Sequence, residues 1–507
     1  MKMKPLVLLA LMASPVMAKP VWISIEQSTL KALPSLQVQA LQLPAAVAAK
    51  LPAGVTLAQL DDSQLDVINN YVHLNKHRCG GYFAFDTQQA AYAYIEKAAV
   101  GSQQAMLAAT FVAPPITQQT LVNSMLPQLN SAGITQVITD LSNFTNRYYT
   151  TTSGKAGADW IFDRWAALGS GKSWIKVTRI AHAGYNQPSI MLEMTGSERP
   201  TELVVLGGHL DSINGAGTTE TTRAPGADDD ASGIATLTEI IRVIASNNLQ
   251  PKRSLRFYGY AAEEVGLRGS KDVATAAQNA ASKVVGVMQL DMTNYKGGAE
   301  DIVLMTDYTN ATLNGYIQKL ITTYQPNIVQ STDVCGYGCS DHASWHNAGF
   351  AATMPFEAKF AKDNKNIHTV NDTLANSDST GAHALKFAKL GLSFALELAN
   401  AATATPPAGA SGSFTSLSGS KSTWQYKTIT VPAGMTSLTV NMSGGSGDAD
   451  MYLKAGSNPT SSSYTCRPYK TGNTESCTIT NPQAGTWVIG LYAYAAYSGV
   501  TVNWQAK

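Results

Sequence analysis

Between residues 203 and 295, short apolar runs alternate with polar clusters in one recurring form. The run 204–206 leads to His209 and Asp211, the run 255–262 to Glu263 and Glu264, and the run 284–290 to Asp291. Apolar runs this short, bounded by turn residues and interleaved with helical periodicity, predict buried strands of an α/β sheet. Ligands of open α/β sheets bind just past the carboxyl ends of the strands. The acidic and imidazole side chains stand at those ends, so three strands would aim them at one place.

The same patterning extends outward. ADWIFDRWAAL, ATLNGYIQKLITTY and GAHALKFAKLGLSFALELANA have helical periodicity, and SIMLEMTG and IVLM read as strands. ASGIATLTEIIRVIASNN is a helix entered directly from the turn Asp228-Asp229-Asp230. Together they predict one α/β domain with a mostly parallel central sheet flanked by helices. Ahead of it, residues 19 to about 110 hold amphipathic helical stretches (DDSQLDVINNYVHL, QAAYAYIEKAAV) without recognisable chemistry. His73 and His77 are four apart there but lack a suitably placed carboxylate, and read as structural or surface residues. Residues 401–413 (AATATPPAGASGS) are linker-like. Beyond them QYKTITV, SLTVNM, DMYLKAG, SCTIT and TWVIGLYAY predict an all-β antiparallel sandwich.

Charge and cysteines narrow the picture. Thirty-six Lys and Arg against 35 Asp and Glu give a net charge of +1, which excludes steering toward nucleic acid or an anionic membrane. The length of 507 residues suits about three domains. Residues 1–18 have the three parts of a secretory signal: Lys2 and Lys4, an apolar run, and the small-residue site Val16-Met17-Ala18. No later apolar run approaches the ~20 residues of a membrane span, so an exported, soluble product is expected. Of the five cysteines, Cys335 with Cys339 and Cys466 with Cys477 are expected as disulfides in an oxidising compartment. Cys79 is left over, a liability that vanishes if its segment is cut away.

A dinuclear zinc centre needs nitrogen and oxygen ligands, a bridging carboxylate and a base beside the water it activates. His209, Asp229, Glu263, Glu264, Asp291 and His368 are the residue types for it. The segments GGHLDS, PGADDDASG, YAAEEVGLRGS, QLDMTNYKG, CGYGCSDHASWHNAG and KNIHTVNDT, in this order, strongly resemble the secreted bacterial leucyl aminopeptidases. These are zinc exopeptidases with two co-catalytic metals, and the resemblance covers residues 114–400. It implies the zinc exopeptidase fold, with one Zn²⁺ on His209, Asp229 and Asp291 and a second on Asp229, Glu264 and His368. Three carboxylates against two dications leave charge that can acidify a water, and three protein ligands per metal leave it room. Glu263 is then the general base. Asp211 accepts the second ring N–H of His209, while Asp228 and Asp230 shape the turn and cap the helix.

The resemblance further implies a side-chain pocket of Met292, Cys335, Tyr337, Cys339, Met354, Phe356, Phe360 and Ile367. Two positions depart from it: Met305 replaces another aliphatic, and Asp363 stands where an aromatic is usual. Residues 19–112 resemble a propeptide, 113–400 the catalytic domain, and 414–507 a pre-peptidase C-terminal domain. Asp448 and Asp450 in that last domain are either a Ca²⁺ site or a plain surface turn. His342 and His346 share a helix face, but Ala343 stands where HExxH needs its glutamate, so they are not expected as ligands. The implied activity is removal of large apolar residues (Leu, Met, Phe) from peptides with a free N-terminus, by a secreted monomer. A carboxypeptidase or dipeptidase with an equivalent zinc pair is the competing reading. A catalytically dead binding protein would lack a ligand or the base, and neither is missing.

Overall fold

The computed structural model describes residues 19–507 except 37, 42, 50, 52, 77–79, 105–110, 403–408, 433–434, 436 and 481. The expected leader, His77, Cys79 and the middle of the linker lie outside the described residues. Two compact units emerge: residues up to Val100 with Thr120–Ala399, and Gly101–Gln119 with Asn400–Lys507. No described helix is long and apolar enough to cross a membrane.

The larger unit is built on a six-stranded sheet in the order Ala352–Thr353, Lys283–Gln289, Arg199–His209, Arg253–Tyr260, Ser189–Met194, Ile175–Ile180. The first three pairings are parallel and the last two antiparallel. The sheet is therefore mixed, and parallel in the half where the acidic and imidazole side chains stand. Both faces of that half are covered, which is why its strands read as unbroken apolar runs. Leu203 and Val205 pack with Tyr258, Tyr260, Val287 and Trp345. On the other face, helices Ala231–Ser246 and Ala382–Asn400 close over Leu206. Gly391 permits this approach, since a Cβ there would lie 2.6 Å from Ile240 and 3.5 Å from Leu206. Gly208 has a similar reason: a Cβ would meet Asp230 Oδ2 at 2.8 Å and the Leu290 carbonyl at 2.9 Å. A second sheet of three short strands, Gln330–Asp333, Ile302–Met305 and Pro355–Phe356, stands beside it.

The N-terminal segment differs from the helical expectation. Helix Gln88–Gln104 is present, and Leu65–Tyr71 accounts for half of the other stretch. The segment also holds a four-stranded antiparallel sheet in the order Gln39–Ala40, Val55–Asp61, Pro20–Glu26, Tyr82–Phe85. Val21, Ile23 and Leu60 of this sheet, with Leu65 of the helix, share one core with Tyr148, Tyr149, Ile213, Ala262 and Val265.

The smaller unit holds the expected antiparallel β sandwich. Its spine is the 22-residue strand Gly485–Ala506. The first half pairs with Trp424–Val431 and Ser446–Ala455, and the second with Ala410–Gly419 and Ser437–Ser443. Strand Ala410–Gly419 begins inside the stretch read as linker, so 401–413 is too long at its C-terminal end. Low-complexity composition hid a strand whose partners lie far along the chain. Cys466 and Cys477 are joined, with Cα atoms 6.3 Å apart. The Asp448–Asp450 turn is tied down locally. Asp448 Oδ1 accepts from Gly472 N at 3.0 Å, and Asp450 faces Arg467 at 3.5 Å.

Candidate metal centre and active site

The ends of the parallel strands supply His209, Glu263, Glu264 and Asp291, the turn ahead of helix Ala231–Ser246 supplies Asp229, and a loop supplies His368. Among the described residues, two groups could hold a metal ion: His209, Asp229 and Asp291, and Asp229, Glu264 and His368. Asp229 belongs to both. Its Oδ1 lies 2.9 Å from His209 Nε2, and its Oδ2 lies 2.9 Å from His368 Nε2. Asp291 Oδ1 is 3.5 Å from His209 Nε2, and Glu264 Oε2 is 2.9 Å from His368 Nε2. With Glu263, these residues are only 1 to 5% exposed.

Further carboxylates hold them in place. Asp230 caps helix Ala231–Ser246 through Gly233 N, and its other oxygen accepts from His209 N at 2.9 Å. Asp228 accepts from Asn294 N and Asn364 Nδ2. Asp211 does more than the sequence reading gave it. Its Oδ1 and Oδ2 accept from the backbone N–H groups of Glu263 and Glu264 at 3.0 and 3.1 Å. The nearest acceptor to His209 Nδ1 is the Asp211 backbone carbonyl at 3.2 Å, while its carboxylate is 3.5 Å away. Asp372, which the sequence reading passed over within KNIHTVNDT, receives the backbone N–H groups of Asp228 and Asp229 at 2.9 and 3.2 Å. Ser340 Oγ donates to Asp291 Oδ2 at 2.5 Å. Ala262, Met292 and His368 have φ of 55°, 58° and 57°. Left-handed backbone costs non-glycine residues energy and tends to concentrate at functional sites.

The electrostatics call for a cation. Burial opposes ionisation of Asp229, yet His209 and His368 outweigh it and hold its carboxyl well below the usual range. Burial pushes Glu264 up to about 7 and Glu263 well above its ordinary value. Glu264 Oε1 is buried without a hydrogen bond, and Asp229 Oδ2, Asp291 Oδ1 and Glu264 Oε2 face only histidine nitrogens. Buried carboxylate oxygens in that state are costly unless they meet a donor or a metal. Oxygen and imidazole donors in two sets of three suit zinc with a coordination position left open. His342 and His346 stand outside both groups. Burial pushes His342 down to about 3, and His346 packs edge-on against Tyr308.

Comparison with known proteins places this arrangement. The profile of Peptidase family M28 matches residues 189–392, and that of the Bacterial pre-peptidase C-terminal domain matches 425–493. Leucine aminopeptidase 1 of Arthroderma otae is 36% identical over 293 residues, 55% of this chain and 76% of that protein. The chain belongs to peptidase family M28. A probable aminopeptidase of Saccharomyces cerevisiae is 32% identical, over 56% of this chain and 77% of its own length. These relatives are fungal, so the likeness reaches beyond bacterial members. Among solved structures, LapB of Legionella pneumophila aligns with a TM-score of 0.64 at 28% identity, over 75% of this chain and 99% of that one.

Beside the ligand cluster this M28 peptidase has a pocket lined by Asp291, Met292, Tyr337, Cys339, Met354, Phe356, Phe360 and Asp363. Cys335 and Ile367 belong to the same apolar cluster, as does fully buried Met305, but none of the three is among the lining residues. Cys335 and Cys339 are joined, with Cα atoms 6.2 Å apart. That bond fixes the loop carrying Tyr337, whose ring meets Phe360 edge-on at 6.0 Å. Asp363 is only 6% exposed and pairs with Lys365. Burial raises its carboxyl above the ordinary value, and Lys365 opposes the rise.

Proposed function

We propose that this M28 peptidase is a secreted zinc aminopeptidase that removes large apolar residues from the free N-termini of peptides. The observation that carries the reading is the pair of ligand groups sharing Asp229, with Glu263 and an apolar pocket beside them. His209, Asp229 and Asp291 would hold one zinc, and Asp229, Glu264 and His368 the other. When bound, two zinc ions supply Lewis acidity that acidifies water and polarises the scissile carbonyl. Glu263 accepts the proton released by the attacking water and returns it to the departing amine, which lets the peptide bond break. Asp211 fixes that carboxylate by gripping the backbone N–H groups of Glu263 and Glu264. The pocket binds the first side chain, and burying Leu, Met or Phe there contributes roughly 1.5 to 3 kcal/mol over a small residue.

Two disulfides support an oxidising, extracellular setting, reached through the leader 1–18, and the enzyme works as a monomer. Residues 19–112 are a propeptide, cut near Val112, and 414–507 the appended domain, with Ca²⁺ at Asp448 and Asp450 the minor reading. Release of the first residue from a panel of aminoacyl amides, N-acetylated controls and C-terminally blocked peptides tests the assignment. Cleavage of the N-acetylated or C-terminal substrates would instead establish the carboxypeptidase or dipeptidase reading.

Asp363 sharpens the selectivity. A carboxylate in the pocket wall repels Asp and Glu side chains and helps Lys and Arg, while Lys365 shields it. The expected ranking is Leu, Met and Phe first, Lys and Arg intermediate, Asp and Glu near zero. Asp363→Tyr should lower Lys and Arg turnover relative to Leu by a few-fold, the scale of a partly screened charge pair. An unchanged Lys-to-Leu ratio would remove Asp363 from substrate selection.

A further inference from the structure

Outside the two ligand groups, one buried hub ties together three of the loops that carry them. Arg147 stands on the connection between helices Ser131–Ser142 and Thr152–Gly169 and is 1% exposed. Its Nε donates to the Leu210 carbonyl at 2.9 Å, next to His209. Its Nη1 and Nη2 donate to the carbonyls of Pro225 and Gly226 at 2.6 and 2.8 Å, just ahead of the turn Asp228-Asp229-Asp230. A fourth bond runs from Nη1 to the Leu141 carbonyl at 3.3 Å. The backbone of Arg147 takes part as well. Its N–H donates to Ser212 Oγ at 3.0 Å, and that hydroxyl donates on to the Ala224 carbonyl at 2.9 Å. Its carbonyl accepts from Nε2 of fully buried Gln187 at 2.8 Å. Gln187 Oε1 in turn accepts from Ala262 N at 3.3 Å, directly ahead of Glu263. Gly226 leaves room for the approach: its φ is 55°, and a Cβ there would lie 2.7 Å from Arg147 Nη2 and 2.5 Å from the Ser212 Cβ.

The acceptors of this guanidinium are all backbone carbonyls, none a carboxylate. A guanidinium is a rigid planar fork, so carbonyls bonded to it are fixed relative to one another in distance and direction. Burial lowers its proton affinity, and the charges of Asp372, Asp230, Asp211 and Asp229 oppose that. We propose that Arg147 is a positioning residue of the metal centre: with Gln187 it sets the spacing of the three loops that present His209, Asp229 and the Glu263–Glu264 pair. The inference deepens the zinc reading and rests on it for the identity of the ligands. Arg147 acts through the backbone, since its side chain bonds to no ligand side chain. The spacing matters because Asp229 has to serve both groups at once, with one oxygen 2.9 Å from each histidine. A lysine in place of Arg147 keeps a charge but offers a single point instead of the fork.

Zinc binding to the full chain, stripped of metal and titrated in competition with a chromogenic chelator, tests this. Arg147→Lys should weaken zinc binding about 10- to 100-fold, the usual cost of losing an outer partner of a metal ligand. Zinc should also raise the melting temperature of this variant by less than it raises that of the wild type, because stabilisation by a ligand falls as its Kd rises. An arginine that serves the fold alone gives a different result: a lower melting temperature with and without metal, and unchanged zinc affinity. That result overturns the proposal. Gln187→Leu reaches the same hub without altering the guanidinium, and keeps the test decisive if Arg147→Lys does not fold. At saturating zinc its kcat on a leucyl amide should fall about tenfold with KM little changed, since a displaced base affects the chemical step more than binding. Unchanged kcat and zinc affinity in Gln187→Leu would remove the hub from the positioning of the centre. A wild-type chain that binds no zinc would end the zinc reading itself, whereas wild-type affinity in Arg147→Lys ends the positioning role alone.

Discussion

Replacing Asp229 with alanine is expected to remove both metal ions and all measurable turnover. The two ligand groups meet only at this residue, with one oxygen 2.9 Å from each histidine. Without it each group keeps two donors, too few for the three-ligand site that holds a catalytic zinc. The remaining buried carboxylates would also crowd together without a counter-charge, and burial already pushes Glu264 up to about 7. His368→Ala, by contrast, should empty one position and weaken the other less. Elemental analysis of purified protein reads both outcomes, with hydrolysis of a leucyl amide measured alongside. Chelation of the wild type should abolish turnover, and added zinc should restore it. Full activity with a single ion per chain would end the dinuclear reading.

Glu263→Ala should behave in the opposite way, keeping both ions while turnover falls about 10²- to 10⁴-fold, the usual contribution of a general acid–base residue. The backbone supports this separation of roles. Asp211 binds the N–H groups of Glu263 and Glu264 alike, so the turn keeps its shape whichever side chain is removed. Glu264 reaches His368, whereas Glu263 belongs to neither ligand group. Loss of metal from the Glu263 variant would mean that the two glutamates have exchanged roles.

The catalytic body was legible because its chemistry and its sheet speak locally. Each parallel strand is a buried run leading to polar residues, so the pattern set His209, Glu263, Glu264 and Asp291 at one end of the sheet, while the division of roles among them came from the family resemblance. Asp372 was not, because its role is to receive the amides of Asp228 and Asp229, some 144 positions away for Asp228, and nothing near it in sequence announces that. Asp211 was found but given half its work, since spacing reveals a neighbour of His209 and not the distant turn it also holds. The N-terminal sheet was missed for a related reason. PVWISIE is one strand among helical stretches, and its partners Val55–Asp61 and Tyr82–Phe85 lie well downstream. Ile367 was placed on the pocket surface because motif position cannot tell a lining residue from one behind it.

Gly485–Ala506 runs through the middle of both sheets of the C-terminal sandwich, with pairings as distant as Ala410 to Ala506. Contacts so far apart in sequence must close long loops before they are rewarded, which slows folding. Apart from the pairing of Ser437–Ser443 with Glu475–Thr480, the strand pairs of both sheets form only once this segment docks. A change that loosens this strand in one sheet is therefore expected to be felt in the other.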